Sequence, residues 1–230
     1  MSLPPASVLT LDVVIDYLIV NKIDDPRLYD YLTRAVDQTR IDHWTNRIDK
    51  INGIVRPGNI KPKEWEGRTN ELKGRCFEKI GGIILSSAMP FHAYNRVPST
   101  MNEIDWLVEL GPSAKWLQAT SEWGTHFICE CKFGTQTINA GWIGKLNTVL
   151  ITHSASVGLL ISSRGLGKGG GSQKLRFQLQ MLAAVPPVKV IICMNTQEVT
   201  DSLTQRNFLR ILCQRYVQTK IGAAKLSSLS

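Results

Sequence analysis

Two short, continuous apolar runs in the second half of the chain most restrict its fold. They are VGLLISS, which begins at Val157, and VKVIICMN, which begins at Val188. Apolar runs of this length are typical of strands that are buried on both faces of a sheet. Helical patterns precede, separate and follow them, at about 138–154, in RFQLQMLAAV and at 199–218. These segments predict buried strands that are covered by helices.

Three further strand-like runs, FHAYNRV, NEIDWLVEL and THFICECKF, lie upstream of the two apolar runs. A helical pattern precedes them, in which apolar or small side chains recur on one side. These side chains are Leu72, Cys76, Ile80, Ile83 and Ser87. The element order is therefore helix, three strands, helix, strand, helix, strand, helix. It predicts an α/β fold in which a central mixed β-sheet is flanked by helices.

The N-terminal part of the chain has a different pattern. Residues 9 to about 52 carry apolar side chains at helical intervals and have no strand-like run. The next stretch, VRPGNIKPKEWEG at 55–67, has two prolines, two glycines and no periodicity. We therefore predict a small helical accessory domain over 1–54, a linker over 55–67 and a main domain over 68–230.

The chain of 230 residues has 27 Lys and Arg against 19 Asp and Glu, a formal net charge of +8. Such an excess favours polyanionic partners, with nucleic acid ahead of anionic membrane. The N-terminus lacks the basic segment of a signal peptide, and no stretch has the roughly 18 uncharged apolar residues of a membrane span. The five cysteines do not form paired metal spacings. We expect a cytoplasmic protein that does not enter membranes.

The run FICECKF has two chemically distinct faces. Alternate side chains of a strand point to opposite faces, so its Phe and Cys residues form one apolar face. Glu130 and Lys132 then lie side by side on the other face. In NEIDWLVEL the same alternation separates Asp105 from Ile104 and Trp106, which are expected to share the apolar face. If the two strands are neighbours, both carboxylates and the ammonium meet.

Two facing carboxylates are unfavourable unless a cation lies between them. Mg²⁺, or Mn²⁺ in its place, takes oxygen ligands and retains several waters. Burial and a nearby metal both lower the pKa of a lysine, so Lys132 is expected to orient or deprotonate a water. The pattern predicts a site for in-line attack on a phosphodiester. The alternative interpretation is a solvated ion pair on the sheet surface.

These residues resemble the PD-(D/E)xK nuclease superfamily, which includes type II restriction enzymes, Mrr-like restriction nucleases and archaeal Holliday-junction resolvases. The resemblance covers about 68–195. It rests on Glu78 ahead of Ile-Gly-Gly, on Asn-Glu-Ile-Asp ending at Asp105, and on Glu-Cys-Lys at 130–132. It also rests on the helix that follows and on the strand end GLLISSRG. Ile104 stands where the motif has proline.

The resemblance implies a role for each of these residues. Asp105 and Glu130 would be side-chain metal ligands, and the main-chain carbonyl of Cys131 would complete the set. Lys132 would position the nucleophilic water. Glu78 is a further catalytic candidate. It lies on the polar side of its helix, so the sequence is consistent both with a place in the site and with a solvated position.

Basic side chains downstream are candidates for contacts with backbone phosphates. Lys145 lies at the edge of the apolar stripe of the predicted helix 138–154, where a snorkelling position is the alternative. Arg164, Lys168 and Lys174 lie in or beside the glycine-rich segment RGLGKGGGSQK, which is interpreted as a loop. Its G-x-G-x-x-G pattern lacks the later acidic residue of a dinucleotide site.

The sequence therefore predicts a Mg²⁺-dependent endodeoxyribonuclease of restriction, defence or recombination type, acting on DNA as a homodimer. Three alternatives are left open. One is a catalytically silent nucleic-acid-binding protein with the same fold, and another is a resolvase specific for branched DNA. The third is an interaction protein that uses the helical N-terminus and has no affinity for nucleic acid.

Overall fold

The computed structural model describes residues 29–30, 32–98, 103–167 and 170–227, so the helices predicted before residue 29 lie outside them. Within these ranges five strands form one sheet, in the order β1-β2-β3-β4-β5. The strands are β1 (Phe91–Val97), β2 (Ile104–Leu110), β3 (His126–Lys132), β4 (Val157–Ser162) and β5 (Val190–Asn195). The α-helices are α1 (Gln38–Asn52), α2 (Pro62–Leu85), α3 (Gln118–Ser121), α4 (Ala140–Thr152), α5 (Gly170–Ala184), α6 (Thr196–Thr204) and α7 (Phe208–Ser227).

The sheet is mixed, and its strands follow one another in chain order. β1, β2 and β3 pair antiparallel, whereas β3, β4 and β5 pair parallel through the crossover helices α4 and α5. Because β2 runs against the other four, its first residues meet the last residues of β1 and β3 at one edge. The predicted α/β class, a mixed sheet flanked by helices, is confirmed.

Two buried clusters cover the two faces of the sheet. α2 and α7 pack on the first face, together with α1 and α6, and α4 and α5 pack on the second. Alternation along β3 follows the sequence pattern, because Phe127, Cys129 and Cys131 belong to the first cluster and Ile128 to the second. The apolar face predicted for FICECKF is therefore a core face.

The connection between β2 and β3 is held to the core by an aromatic cluster. The buried Trp123 ring contacts Phe127 at 5.4 Å and Tyr216 of α7 at 5.3 Å, measured between ring centroids. Trp123 therefore belongs to the core, and it ties this connection to α7.

The N-terminal region and α2 differ in part from the sequence pattern. α2 begins at Pro62, inside the segment 55–67, because proline at the first helical turn is favourable. Leu72 is half exposed, since the first half of this long helix extends past the sheet. Ile41 and Ile48 of α1 join the first buried cluster. Separability of 1–54 from the rest stays a prediction.

The single helix predicted for 199–218 is two helices. α6 ends at Thr204, and the left-handed Arg206, with φ of 53°, turns the chain before α7 begins. The amide of Asn207 donates to the carbonyl of Ser202 at 2.8 Å, which fixes this turn. Within the described ranges no helix is both long enough and apolar enough to span a membrane.

Candidate active site

The predicted acidic and basic residues meet where β2 begins and β3 ends. The ladder between these strands runs from Glu109–His126 to Trp106–Cys129 and stops there. Beyond it, the amide of Cys131 donates to Oδ2 of Asp105 at 2.8 Å. The Asp105 carboxylate thus accepts the hydrogen bond of the Cys131 amide. If the ladder continued, a main-chain carbonyl of β2 would accept this bond. It is fixed in orientation at the mouth of a gap between the strands.

A kink in β1 and β2 turns Asp105 toward β3. Arg96 lies opposite Asp105 with φ of 53°, a left-handed conformation that is uncommon for a side chain of this size. Trp106 packs in the first cluster, whereas Ile104 and its partner Val97 pack in the second. The expectation that Ile104 shares a face with Trp106 is therefore wrong, because the kink reverses the alternation of both strands.

Glu130 and Lys132 lie side by side on β3, as the alternation predicts. Nζ of Lys132 donates to Oε2 of Glu130 at 2.7 Å and lies 3.9 Å from Oδ2 of Asp105. Glu130 is only 2% exposed, and its second oxygen, Oε1, is buried without a hydrogen-bond partner. A buried carboxylate oxygen in this state is costly and marks a position for a cation or a water.

The site shifts the pKa of two of its groups upward. Burial, followed by repulsion from Glu130, raises the pKa of Asp105 from 3.8 to about 6, although Lys132 and the Cys131 amide oppose the rise. Burial acts to lower the pKa of Lys132, but the carboxylates of Glu130 and Asp105 outweigh it and the net pKa is raised. The expected lowering is therefore wrong for the metal-free site, because two carboxylates hold the ammonium.

Two glycines of α2 bring this helix against the strands of the site. A β-carbon at Gly81 would lie 2.5 Å from Sγ of Cys131, and one at Gly82 would overlap the Trp106 ring. Neither position can take a side chain without movement of the helix or the sheet. The two consecutive glycines in an amphipathic helix were the sequence signal for this close approach. The contact was not predicted from the sequence.

Glu78 lies one turn before these glycines and borders the site. Its carbonyl accepts the Trp106 indole N–H at 3.0 Å, and its carboxylate adds to the rise of the Asp105 pKa. Its Oε2 lies 3.3 Å from Nε of Arg96, which also lies 3.2 Å from Oε1 of Glu103. Arg96 was not predicted, because its strand pattern carries no sign of this contact.

Within the described part of the chain, the carboxylates of Asp105 and Glu130 are the two candidate side-chain ligands that the site brings together. Among the described residues, no three His, Cys, Asp or Glu side chains form a group that could hold a metal. Asp105 and Glu130 thus stand as a pair, and Glu78 is held beside them by Arg96. The predicted part of the Cys131 carbonyl stays a prediction.

The candidate phosphate contacts lie on exposed surfaces. Lys145 is exposed on α4, and Lys174 is exposed on α5. Ser162 pairs with Lys132 across β3 and β4, so the exposed Arg164 two residues later follows the same sheet edge as the site. Lys168 lies outside the described residues. A contact of these residues with nucleic acid stays a prediction.

Comparisons with family models, with curated proteins and with solved structures found no match. The class that the fold and site define is an α/β protein with a five-stranded mixed sheet. At one edge of that sheet, two carboxylates and a lysine converge between diverging strands.

Proposed function

We propose that this protein is a divalent-metal-dependent endonuclease that hydrolyses phosphodiester bonds of DNA. One observation carries the proposal: the unpartnered, buried Oε1 of Glu130 lies in a site with Asp105 and Lys132. A solvated surface pair, the alternative interpretation, would expose the carboxylate to water. Burial of two carboxylates beside the single ammonium of Lys132 is costly unless a further cation joins them.

The residues of the site fit a hard divalent cation. Asp105 and Glu130 offer carboxylate oxygens, and both are held by hydrogen bonds that leave further oxygen lone pairs for a ligand. Two carboxylates suit Mg²⁺, which keeps several waters and is commonly bound through one or two carboxylates. When bound, such an ion supplies charge for a developing phosphorane and lowers the pKa of a water.

Lys132 supplies a positioned donor. Its raised pKa keeps the side chain an ammonium at neutral pH. In the metal-free site it therefore donates hydrogen bonds and does not accept a proton. The Glu130 carboxylate fixes its Nζ at 2.7 Å. From this position the ammonium orients a water and a phosphate oxygen for in-line attack. In the metal-free site its contribution is therefore orientation and charge.

Two further features support DNA as the substrate. The net charge of +8 favours a polyanion. The order of a helix, a three-strand meander, a crossover helix and a parallel strand agrees with the resemblance to PD-(D/E)xK nucleases, most of which act on DNA. Because the described residues contain one candidate site, a homodimer is the expected form for cutting both strands.

The direct test is cleavage of supercoiled, linear, branched and single-stranded DNA with Mg²⁺, Mn²⁺ or EDTA. We expect cleavage with either metal and none with EDTA. Preference for the branched substrate would indicate a resolvase. Binding without cleavage under every condition would leave the catalytically silent nucleic-acid-binding protein, and absence of both would refute the proposal.

Four single substitutions separate the reaction face of β3 from its core face. Asp105→Ala, Glu130→Ala and Lys132→Ala should each reduce cleavage by at least about 100-fold while the fold persists. Cys131→Ala is the matched control, since its side chain packs at Gly81 and leaves the site groups in place. It should keep cleavage and lose about 1 kcal/mol of stability. Wild-type cleavage by Glu130→Ala, or loss of cleavage in a stable Cys131→Ala, would contradict the assignment.

A further inference from the structure

Arg96 is bound by two carboxylates at the edge of the candidate active site. Its Nε lies 3.3 Å from Oε2 of Glu78 and 3.2 Å from Oε1 of Glu103. The Glu78 side chain is only 14% exposed, whereas that of Arg96 is 38% exposed. The guanidinium therefore covers the more buried carboxylate and remains open to solvent itself. The left-handed backbone of Arg96 gives the side chain this direction.

We infer that Arg96 couples the binding of DNA phosphate to the release of Glu78 toward the metal site, an inference that rests on the proposed function. The Glu78 carbonyl accepts the indole N–H of Trp106, the neighbour of Asp105 in β2, at 3.0 Å, so α2 holds Glu78 beside the carboxylate pair. Among the described residues no third acidic side chain joins the pair as a metal-binding group, and the Glu78 carboxylate is paired with Arg96. The unpartnered Oε1 of Glu130 marks where further ligation is needed.

The exchange follows from the chemistry of the three groups. A guanidinium forms bidentate, charge-assisted bonds with phosphate as well as with carboxylate. The DNA backbone thus competes with Glu78 for Arg96, and the metal competes with Arg96 for Glu78. DNA and the metal each remove the Glu78–Arg96 contact that hinders binding of the other. DNA should therefore raise the affinity for metal by the same factor by which metal raises the affinity for DNA. The Glu78–Arg96 ion pair is in this way a latch on the metal-free site.

The test is a double-mutant cycle on DNA binding, measured by anisotropy of a short, fluorescein-labelled duplex in EDTA at constant ionic strength. The proteins are wild type, Glu78→Gln, Arg96→Asn and the double variant, with Arg96→Lys to keep the charge. Asparagine is chosen because it adopts left-handed backbone readily and so preserves the kink. Glu109→Gln, which removes an exposed carboxylate of β2 that accepts from Tyr94, is the charge control.

Without metal, Glu78→Gln should strengthen duplex binding about fivefold or more, because Arg96 then keeps only the more exposed Glu103 carboxylate as a partner. Arg96→Asn should weaken it, and Glu78→Gln should then have no effect in the Arg96→Asn background. Ca²⁺, which also takes oxygen ligands, should strengthen binding more in the wild type than in Arg96→Asn. Arg96→Lys should lie between the two.

If Glu78→Gln strengthens binding equally in the wild type and in Arg96→Asn, the cause is the change in the net charge of the protein. This result would overturn the role of Arg96. So would a gain of the same size in Glu109→Gln. A wild type that binds duplex more tightly in Ca²⁺ but shows no coupling in the cycle refutes this inference alone. A wild type that binds no duplex with or without Ca²⁺ refutes the proposed function, and the inference falls with it.

Discussion

Replacement of Asp105 by asparagine should stabilise the metal-free protein in a pH-dependent way. The folded state raises the pKa of this carboxyl from 3.8 to about 6, so between these values the folded chain holds a proton that the unfolded chain releases. The free energy of unfolding of the wild type therefore falls as pH rises through this range. Above pH 6 the Asp105 carboxyl is ionised in both states, and its buried charge then destabilises the folded state by the full amount.

The size of the effect follows from the same pKa. A rise from 3.8 to about 6 corresponds to about 3 kcal/mol, at about 1.4 kcal/mol for each pH unit. The side chain is 16% exposed, so solvent screening reduces this value only modestly. Asparagine keeps an oxygen to accept the Cys131 amide but carries no charge. For a chain of this length, Asp105→Asn should melt about 6–12 °C above the wild type at pH 7.

The assay is thermal unfolding in EDTA across pH 4 to 7, followed by circular dichroism. The advantage of Asp105→Asn should fall below about 1 kcal/mol near pH 4, where the wild-type carboxyl is protonated in the folded chain and roughly half protonated in the unfolded chain. Glu109→Gln removes an exposed carboxylate of the same strand and should change stability by less than about 1 kcal/mol at every pH. Excess Mg²⁺ should stabilise the wild type and Glu109→Gln, but not Asp105→Asn, by about 2.7 kcal/mol at 100 times the dissociation constant. A variant no more stable than the wild type at pH 7, or equally favoured at pH 4, would refute the reasoning.

Two other expectations can be tested on the same preparations. Gly82→Ala places a methyl group inside the Trp106 ring and should lower stability by about 1–3 kcal/mol in urea unfolding. Gly74→Ala, on the same helix with open space around it, should raise stability by about 0.5–1 kcal/mol. A Gly82→Ala variant more stable than Gly74→Ala would show that the contact between Gly82 and Trp106 does not hold α2 in place. Binding of duplex DNA in EDTA should weaken at least about tenfold between 50 and 200 mM salt, as measured by anisotropy, because released counterions drive it. An affinity independent of salt would exclude a surface that follows phosphates.

The sequence was most informative where side-chain alternation and burial coincide. FICECKF predicted both faces of β3, and the approach of Lys132 to Glu130 and Asp105 follows from those faces. The element order predicted the mixed sheet, because continuous apolar runs separated by helical patterns have few other solutions. Local periodicity thus determines which residues share a face of the sheet.

Features that depend on a single backbone angle could not be predicted in this way. The left-handed Arg96 reverses the alternation of two strands, and nothing in FHAYNRV distinguishes it from an ordinary strand residue. The turn at Arg206 likewise divides a continuous helical pattern. The contact between Arg96 and Glu78 joins residues 18 positions apart, and it depends on where α2 lies on the sheet. Such contacts arise from packing, and periodicity does not encode them.

The glycine pair in α2 also bears on how the protein folds. Consecutive glycines inside a helix cost about 2 kcal/mol relative to alanine, so this segment is a poor helix in isolation. It gains its stability from docking on Cys131 and Trp106, which neighbour the candidate catalytic residues on both strands. We expect the helix to become ordered only after β2 and β3 have paired. A chain released from the ribosome would then complete the candidate site, which Glu78 of this helix borders, only when α2 docks on the paired strands.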